Sequence, residues 1–128
     1  MKIDQLVSIF ILFLGSTIGG NMRFFILNNF QIIKIHHKFK VLIVNSIASF
    51  IFGLFFPLFI NHKYNHKEEL IIIFLIGFLG SFSTFSTFIY DLFELSLKRK
   101  FKDIFILIFS SIFLCLLSIY SAYFLASF

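Results

Sequence analysis

From Phe82 onward three stripes repeat at a spacing of three residues: Phe82, Phe85 and Phe88; Ser83 and Ser86; Thr84 and Thr87. On a helix, residues three apart are surface neighbours, so the pattern sets an aromatic ridge beside two hydroxyl ridges. Hydroxyls donate hydrogen bonds without carrying a fixed charge, and an aromatic ring offers a positive edge through its quadrupole. Asn45, inside another apolar run, adds an amide, and the serines of the last run add further hydroxyls. This set suits a small, hard, strongly hydrated anion. Many neutral donors replace its lost water, and a path without fixed charge lets it leave again.

The same inventory argues against catalysis. No Asp, Glu, His or Lys lies well inside an apolar run, so no general base, nucleophile pair or metal cluster is expected at membrane depth, and the chain is not expected to be an enzyme. The adjacent His36 and His37 project in different directions from most backbones and have no Cys or carboxylate near them in sequence, so they read as loop residues. Cys115 is the one cysteine; it has no partner for a disulfide or a thiolate metal site and is expected to pack.

Those groups need elements to hold them, and composition says of what kind. Of 128 residues 59% are hydrophobic and 13% charged, with a mean hydropathy of +1.00, far from soluble-domain usage. A spanning helix takes roughly 20 mostly apolar residues. The charges divide the chain into four such runs, about 5–27, 41–60, 70–90 with a continuation to 95, and 104–126. The expectation is an all-α membrane protein, one transmembrane domain over 1–128, with no room for a soluble domain. A cleavable leader is not expected, because the first run is long enough to span and lacks a small-residue cleavage site after a short core. The net charge of +5 gathers in short loops, a membrane-surface distribution that implies no nucleic-acid partner.

Gly77 and Gly80 precede the hydroxyl-rich stretch. Backbone at membrane depth leaves helical geometry only where protein or a water-filled cavity satisfies it, so the third helix is expected to be broken near its middle. The other reading of these small residues is close helix packing. Gly19 and Gly20 thin the first helix, and Arg23 follows where the span nears water. A guanidinium facing lipid costs roughly 2.5–3.5 kcal/mol, so Arg23 either anchors the helix at the interface or lines an electropositive vestibule. Asn45, with Ser49 and Gly53 on its face, either lines a pore or joins helices. Asp91 and Glu94 fall near the membrane boundary, where exposure is expected rather than a buried proton relay. Ser111, Cys115 and Ser118 draw a narrow polar edge along the fourth helix. Pro57 sits where a kink or a stop is tolerated, and 61–69 is expected to be a short hairpin loop.

The pieces Gly19-Gly20-x-x-Arg23-Phe24, Asn45, and Gly77-x-x-Gly80-x-x-Ser83-Thr84-Phe85-Ser86-Thr87-Phe88 together resemble the Fluc (CrcB) fluoride channels over essentially the whole chain. The resemblance implies an antiparallel, dual-topology-type dimer of four-helix subunits with two fluoride pores, multi-pass in the bacterial inner membrane, lowering cytoplasmic fluoride passively. It implies that Phe85 and Phe88 meet fluoride edge-on, that Asn45 and Ser111 are pore polar groups, that Ser86 and Thr87 line a neighbouring polar track, and that Arg23 sits at the vestibule. Backbone carbonyls of Gly80 and Ser83 would hold a structural sodium ion (Na+) on the dimer axis. The chain departs from the pattern at Ser81, where a second glycine is usual, at Ser83 for a threonine, at Ala48 for a glycine, and at Leu107, where a tyrosine is frequent.

With four spans, the termini and the 61–69 loop share one side with Lys2, Lys63 and Lys67. Opposite them stand Lys34, Lys38, Lys40, Lys98, Arg99, Lys100 and Lys102. Three against seven, leaving out Arg23, is a positive-inside bias that puts both termini outside the cytoplasm, whereas a dual-topology homodimer needs nearly balanced loops. By the resemblance the partner is therefore a second copy or a paired homologous subunit. Two alternatives stand beside a channel. A small multidrug-resistance-type four-helix transporter needs a membrane-embedded carboxylate, and the first helix has only Asp4 at its start. A non-conducting structural membrane subunit would use its small residues only to pack.

Overall fold

Lipid offers no partner to a peptide group, so a spanning segment satisfies its own backbone most simply as a helix. The computed structural model describes residues 2–29, 37–60 and 66–126. Within them every regular element is helical: α1 (Lys2–Asn29), α2 (His37–Ile60), α3 (His66–Phe82), α4 (Ser86–Leu97) and α5 (Phe101–Ala126). Among the described residues four segments are long and apolar enough to cross a membrane: Gln5–Asn29, Lys38–Pro57, Lys67–Leu97 and Phe101–Ala126. The third comprises α3 and α4 in succession. The chain is an all-helical, multi-pass membrane protein. Lys34, His36, Lys63 and the first half of the 61–69 loop lie outside the described residues. α2 runs through Pro57 to Ile60.

Alternate spans pair: α1 packs on α3, and α2 on α5. Gly15 comes up against the carbonyl of Phe74, and Gly19 against the carbonyl of Phe78 and the hydroxyl of Ser81. Both helices of that pair therefore advance in the same direction, as alternate crossings must. Gly77 faces the Leu12 carbonyl in return, and Ser16 Oγ donates across the seam to Gly77 O at 3.3 Å. Lipid tails are as apolar as leucine, so such seams are held by close backbone approach and van der Waals contact rather than by the hydrophobic effect. Gly53 does the same for α2 against Ile119 and Ala122 of α5. Gly20 and Gly80 differ from these four: a side chain added at either meets nothing within 4 Å.

Two small cores tie the pairs together. Val44, Ala48 and Phe82 are buried together, with Ile26, Leu27, Phe78 and Leu79 around them. Phe78 stacks on Phe82 at 5.4 Å between ring centroids and on Phe74 at 6.2 Å, a ladder at the helix i, i+4 spacing. Leu42, Leu95 and Leu107 form the second core, with Phe88, Leu92, Ile104 and Leu114 packed against it. Most of the remaining large apolar side chains face outward, the surface expected of helices whose surroundings are acyl chains.

α4 ends in a tight turn. Lys100 N–H bonds Leu95 O at 3.0 Å and Arg99 N–H bonds Ser96 O at 2.9 Å, with Arg99 at φ 54°. This is the paired-bond cap that glycine usually serves, here with an arginine in the left-handed region.

Two charged residues stand elsewhere than the sequence suggests. Asp91, expected to be exposed, is 2% exposed. It lies one helical turn before Leu95, on the face of α4 turned to the second core, and so shares that residue's burial. Glu94, on the flank, is half-exposed and pairs with Lys98. Lys40, which precedes the second apolar run, lies within α2 at 7% exposure, and its Nζ donates to Leu27 O at 3.3 Å; His37, read as a loop residue, opens the same helix. The negative end of the α1 dipole makes the Leu27 carbonyl a favourable place for a cation.

Candidate functional site

Helical bonding along α3 runs out at Ser83, whose N–H reaches Leu79 O at 3.0 Å while its Oγ donates to the same carbonyl at 2.8 Å. The next residue turns away. Thr84 N–H donates to Asn45 Oδ1 at 2.9 Å, and Asn45 Nδ2 donates back to Thr84 O at 3.2 Å. A primary amide carries donor and acceptor side by side as a peptide does, so Asn45 takes the place of a missing backbone partner. Thr84 Oγ1 then accepts Thr87 N–H at 3.2 Å, donates to Thr87 Oγ1 at 2.8 Å, and lies 3.5 Å from Ser86 Oγ. A hydroxyl satisfying an N–H three residues on is the N-cap arrangement that starts a helix. Ile89 N–H to Phe85 O, at 2.9 Å, resumes the ladder.

Both diversions release a carbonyl. The donors that would close on Gly80 O and Ser83 O in an unbroken helix are Thr84 N–H and Thr87 N–H, and each is bonded to a side chain instead. Gly80 is exposed with open space beside it. Neutral oxygens at the C-terminal end of a helix, where its dipole is negative, suit a hard monovalent cation. Among the described residues no group of three or more His, Cys, Asp and Glu could hold a metal instead.

Beside Ser83–Phe85 lies an open groove of about 660 Å³ between α2, the α3–α4 junction and α5. Asn45, Gly80, Ser83, Phe85, Phe88 and Ser111 all line it, and none of the lining residues is Asp, Glu, Lys, Arg or His. Phe85 is 76% exposed, and Phe88, one turn on, is half-buried against the Leu42–Leu95–Leu107 core. Thr84, in sequence one of a hydroxyl stripe with Thr87, is 3% exposed and organises the junction. A threonine just ahead of a helical run is the N-cap signal that could have found it.

Other expected residues lie apart. Ser86 and Thr87 are not among the groove residues; both point their bonds at Thr84. Phe82 is 1% exposed in the first core, so it does not form one ridge with Phe85 and Phe88: the non-helical residues between them reset the three-residue register. Arg23 is half-exposed on α1, which contributes nothing to the groove. Ser111 and Cys115 line the groove, whereas Ser118 lines a separate hollow with Ser46. Leu107 belongs to the second core.

The family model described as CrcB-like protein, Camphor Resistance (CrcB), matches residues 10–123. The chain belongs to the CrcB family. Among its relatives, it is 40% identical over 124 residues, 94% of this chain and 95% of the other, to the fluoride-specific ion channel FluC 2 of Prochlorococcus marinus strain MIT 9312. It is 38% identical over 121 residues, 91% of this chain and 92% of the other, to the protein of the same name from Prochlorococcus marinus subsp. pastoris strain CCMP1986. A third, from strain NATL2A, is 38% identical over 88 residues, 68% of this chain and 71% of the other. No solved structure matches the chain. The CrcB match runs from within α1 to near the end of α5 and takes in every residue of the groove.

Proposed function

We propose that this CrcB-family protein is a fluoride-specific channel, not an enzyme, that passively exports fluoride and lowers its cytoplasmic concentration. The observation that carries the proposal is the convergence of Phe85, Phe88, Asn45 and Ser111 on one groove without a charged side chain. The names of the relatives, all fluoride-specific channels, support it. Fluoride holds its water tightly. Two ring edges a turn apart, the second Nδ2 hydrogen of Asn45 and the Ser111 hydroxyl replace that water with dipoles, and nothing with a full positive charge traps the ion. Ser86 and Thr87 belong to the neighbouring polar track, and Arg23 draws anions toward the mouth.

The groove is open along one side, and a pore must close. In this reading a second subunit closes it, either another copy inserted antiparallel or a paired homologous chain, in the bacterial inner membrane. The third crossing is a broken helix, and its released Gly80 and Ser83 carbonyls hold a structural sodium ion where the two subunits meet. Neutral oxygens at a negative helix end fit that ion; its charge, when bound, draws together dipoles that would otherwise repel.

The test is fluoride efflux from liposomes that hold the purified chain. Phe85→Ile and Phe88→Ile are each expected to lower flux by about tenfold or more, about 1.4 kcal/mol in barrier, with the assembly intact by size exclusion. Normal flux in both removes the aromatic role. Fluoride-tight vesicles around an intact assembly, with and without a sister subunit, reject the channel. A reporter at the C-terminus separates the two assemblies: signal from both compartments means a dual-topology homodimer, signal from one a fixed orientation and a paired partner.

A further inference from the structure

We infer that Asn45 is a positioning residue that couples the pore to the sodium site, acting through the backbone of Thr84. The inference rests on the channel reading above, and extends it to what holds the pore in shape. Asn45 lies on α2, 39 residues from Thr84 in sequence, yet both of its amide groups are committed to Thr84: Oδ1 to the N–H at 2.9 Å and Nδ2 to the carbonyl at 3.2 Å. That leaves one Nδ2 hydrogen to donate to an anion. The clamp therefore does two things at once. It holds Thr84 N–H away from Gly80 O, its partner in a continuous helix, and so keeps that carbonyl available. It also fixes the residue directly before Phe85, at the point where α4 starts.

No other described side chain bonds the Thr84 peptide groups. Thr84 itself carries the effect forward, since its Oγ1 satisfies Thr87 N–H at 3.2 Å and thereby releases Ser83 O. Remove Asn45, and Thr84 N–H and C=O at membrane depth lose their partners. The segment must then fluctuate between re-pairing with Gly80 and staying open. Either state spoils the carbonyl geometry and the placement of Phe85 together. An Asn45 that served only as an anion donor would leave both untouched.

The test compares Asn45→Leu, Asn45→Asp and Phe88→Ile, each purified as the intact assembly, with two readouts besides flux. The first is the rise in melting temperature as sodium replaces a large organic cation. The second is hydrogen exchange of the amides in the 80–88 segment. In Asn45→Leu the sodium concentration needed for half the stabilisation should rise, and Thr84 exchange should quicken, each by about tenfold or more. Asn45→Asp keeps an acceptor for Thr84 N–H and should retain the slow exchange while flux falls, because its charge repels the permeant anion. Phe88→Ile should lose flux and keep both other readouts. Unchanged sodium response and exchange in folded Asn45→Leu would show Asn45 to be an anion ligand only and overturn the inference. So would equally fast exchange in Asn45→Asp and Asn45→Leu. Absence of any sodium effect in the unmodified protein rejects the sodium site alone, and the exchange comparison then decides the clamp by itself. If Asn45→Leu fails to assemble, Asn45→Ser, which removes the paired amide with less change in polarity, takes its place under the same outcomes.

Discussion

Gly19 and Gly20 are neighbours in sequence with opposite surroundings, so the same substitution at each should act with opposite sign. A methyl at Gly19 would run into the Phe78 carbonyl and Ser81 Oγ, whereas one at Gly20 meets nothing within 4 Å. The Gly19 obstacle is backbone and cannot swing aside; α1 has to draw back from α3, and the upper part of the overpacking range applies, about 2–3 kcal/mol. Drawing back also stretches the Ser16–Gly77 hydrogen bond past its present 3.3 Å, a further loss of about 0.6 kcal/mol at membrane depth. Against this, alanine gains about 1 kcal/mol over glycine in a helix interior. Gly19→Ala should thus cost about 2 kcal/mol and Gly20→Ala should gain about 1 kcal/mol, a separation of about 3 kcal/mol or roughly a hundredfold in the unfolding equilibrium. The chain contains no tryptophan, so helical circular dichroism during a denaturing-detergent titration in mixed micelles is the suitable assay. A Gly20→Ala loss equal to or larger than that of Gly19→Ala would refute the close-approach reasoning.

Three further outcomes rest on single contacts. Thr84→Val keeps the side-chain shape but removes the acceptor for Thr87 N–H; it should cost about 1 kcal/mol, seen as faster amide exchange at Thr87 than at the interior of α5. Arg99→Gly relieves the left-handed residue at φ 54° and should raise stability by about 0.5–1 kcal/mol in the same titration. Lys98→Ala breaks the ion pair with Glu94, whose partners are 55% and 39% exposed, and should change stability by no more than about 0.5 kcal/mol. A larger loss there would mean that the α4–α5 turn depends on charge rather than on its backbone bonds.

The sequence was most legible where the signal is a sum over many residues. Four apolar runs of spanning length appear in the structure as four segments able to cross a membrane, although helices α1 and α2 begin earlier than the runs suggested and take Lys40 inside. It was least legible where one partner decides. Gly19 and Gly20 look alike in sequence, but only one meets another backbone. Asp91 reads as a boundary charge until the face it shares with Leu95 is known. Phe82, Phe85 and Phe88 repeat evenly along the chain, yet the non-helical turn between them sends the first into a core and leaves the other two on the groove.

By itself, then, the sequence determined the solvent, the number of crossings and the kind of donor available for an ion. Each follows from local composition: hydropathy adds up along a segment, lipid admits only self-satisfied backbone, and neutral donors remain neutral in any arrangement. Only the tertiary structure decided which donors are spent. The Asn45 amide, read as a pore group, has one donor and one acceptor site engaged by Thr84, and the Thr84 hydroxyl is engaged by Thr87. A polar side chain in lipid takes whichever partner comes within about 3 Å, and that depends on how α2 lies against the α3–α4 junction, a distance no spacing along the chain encodes.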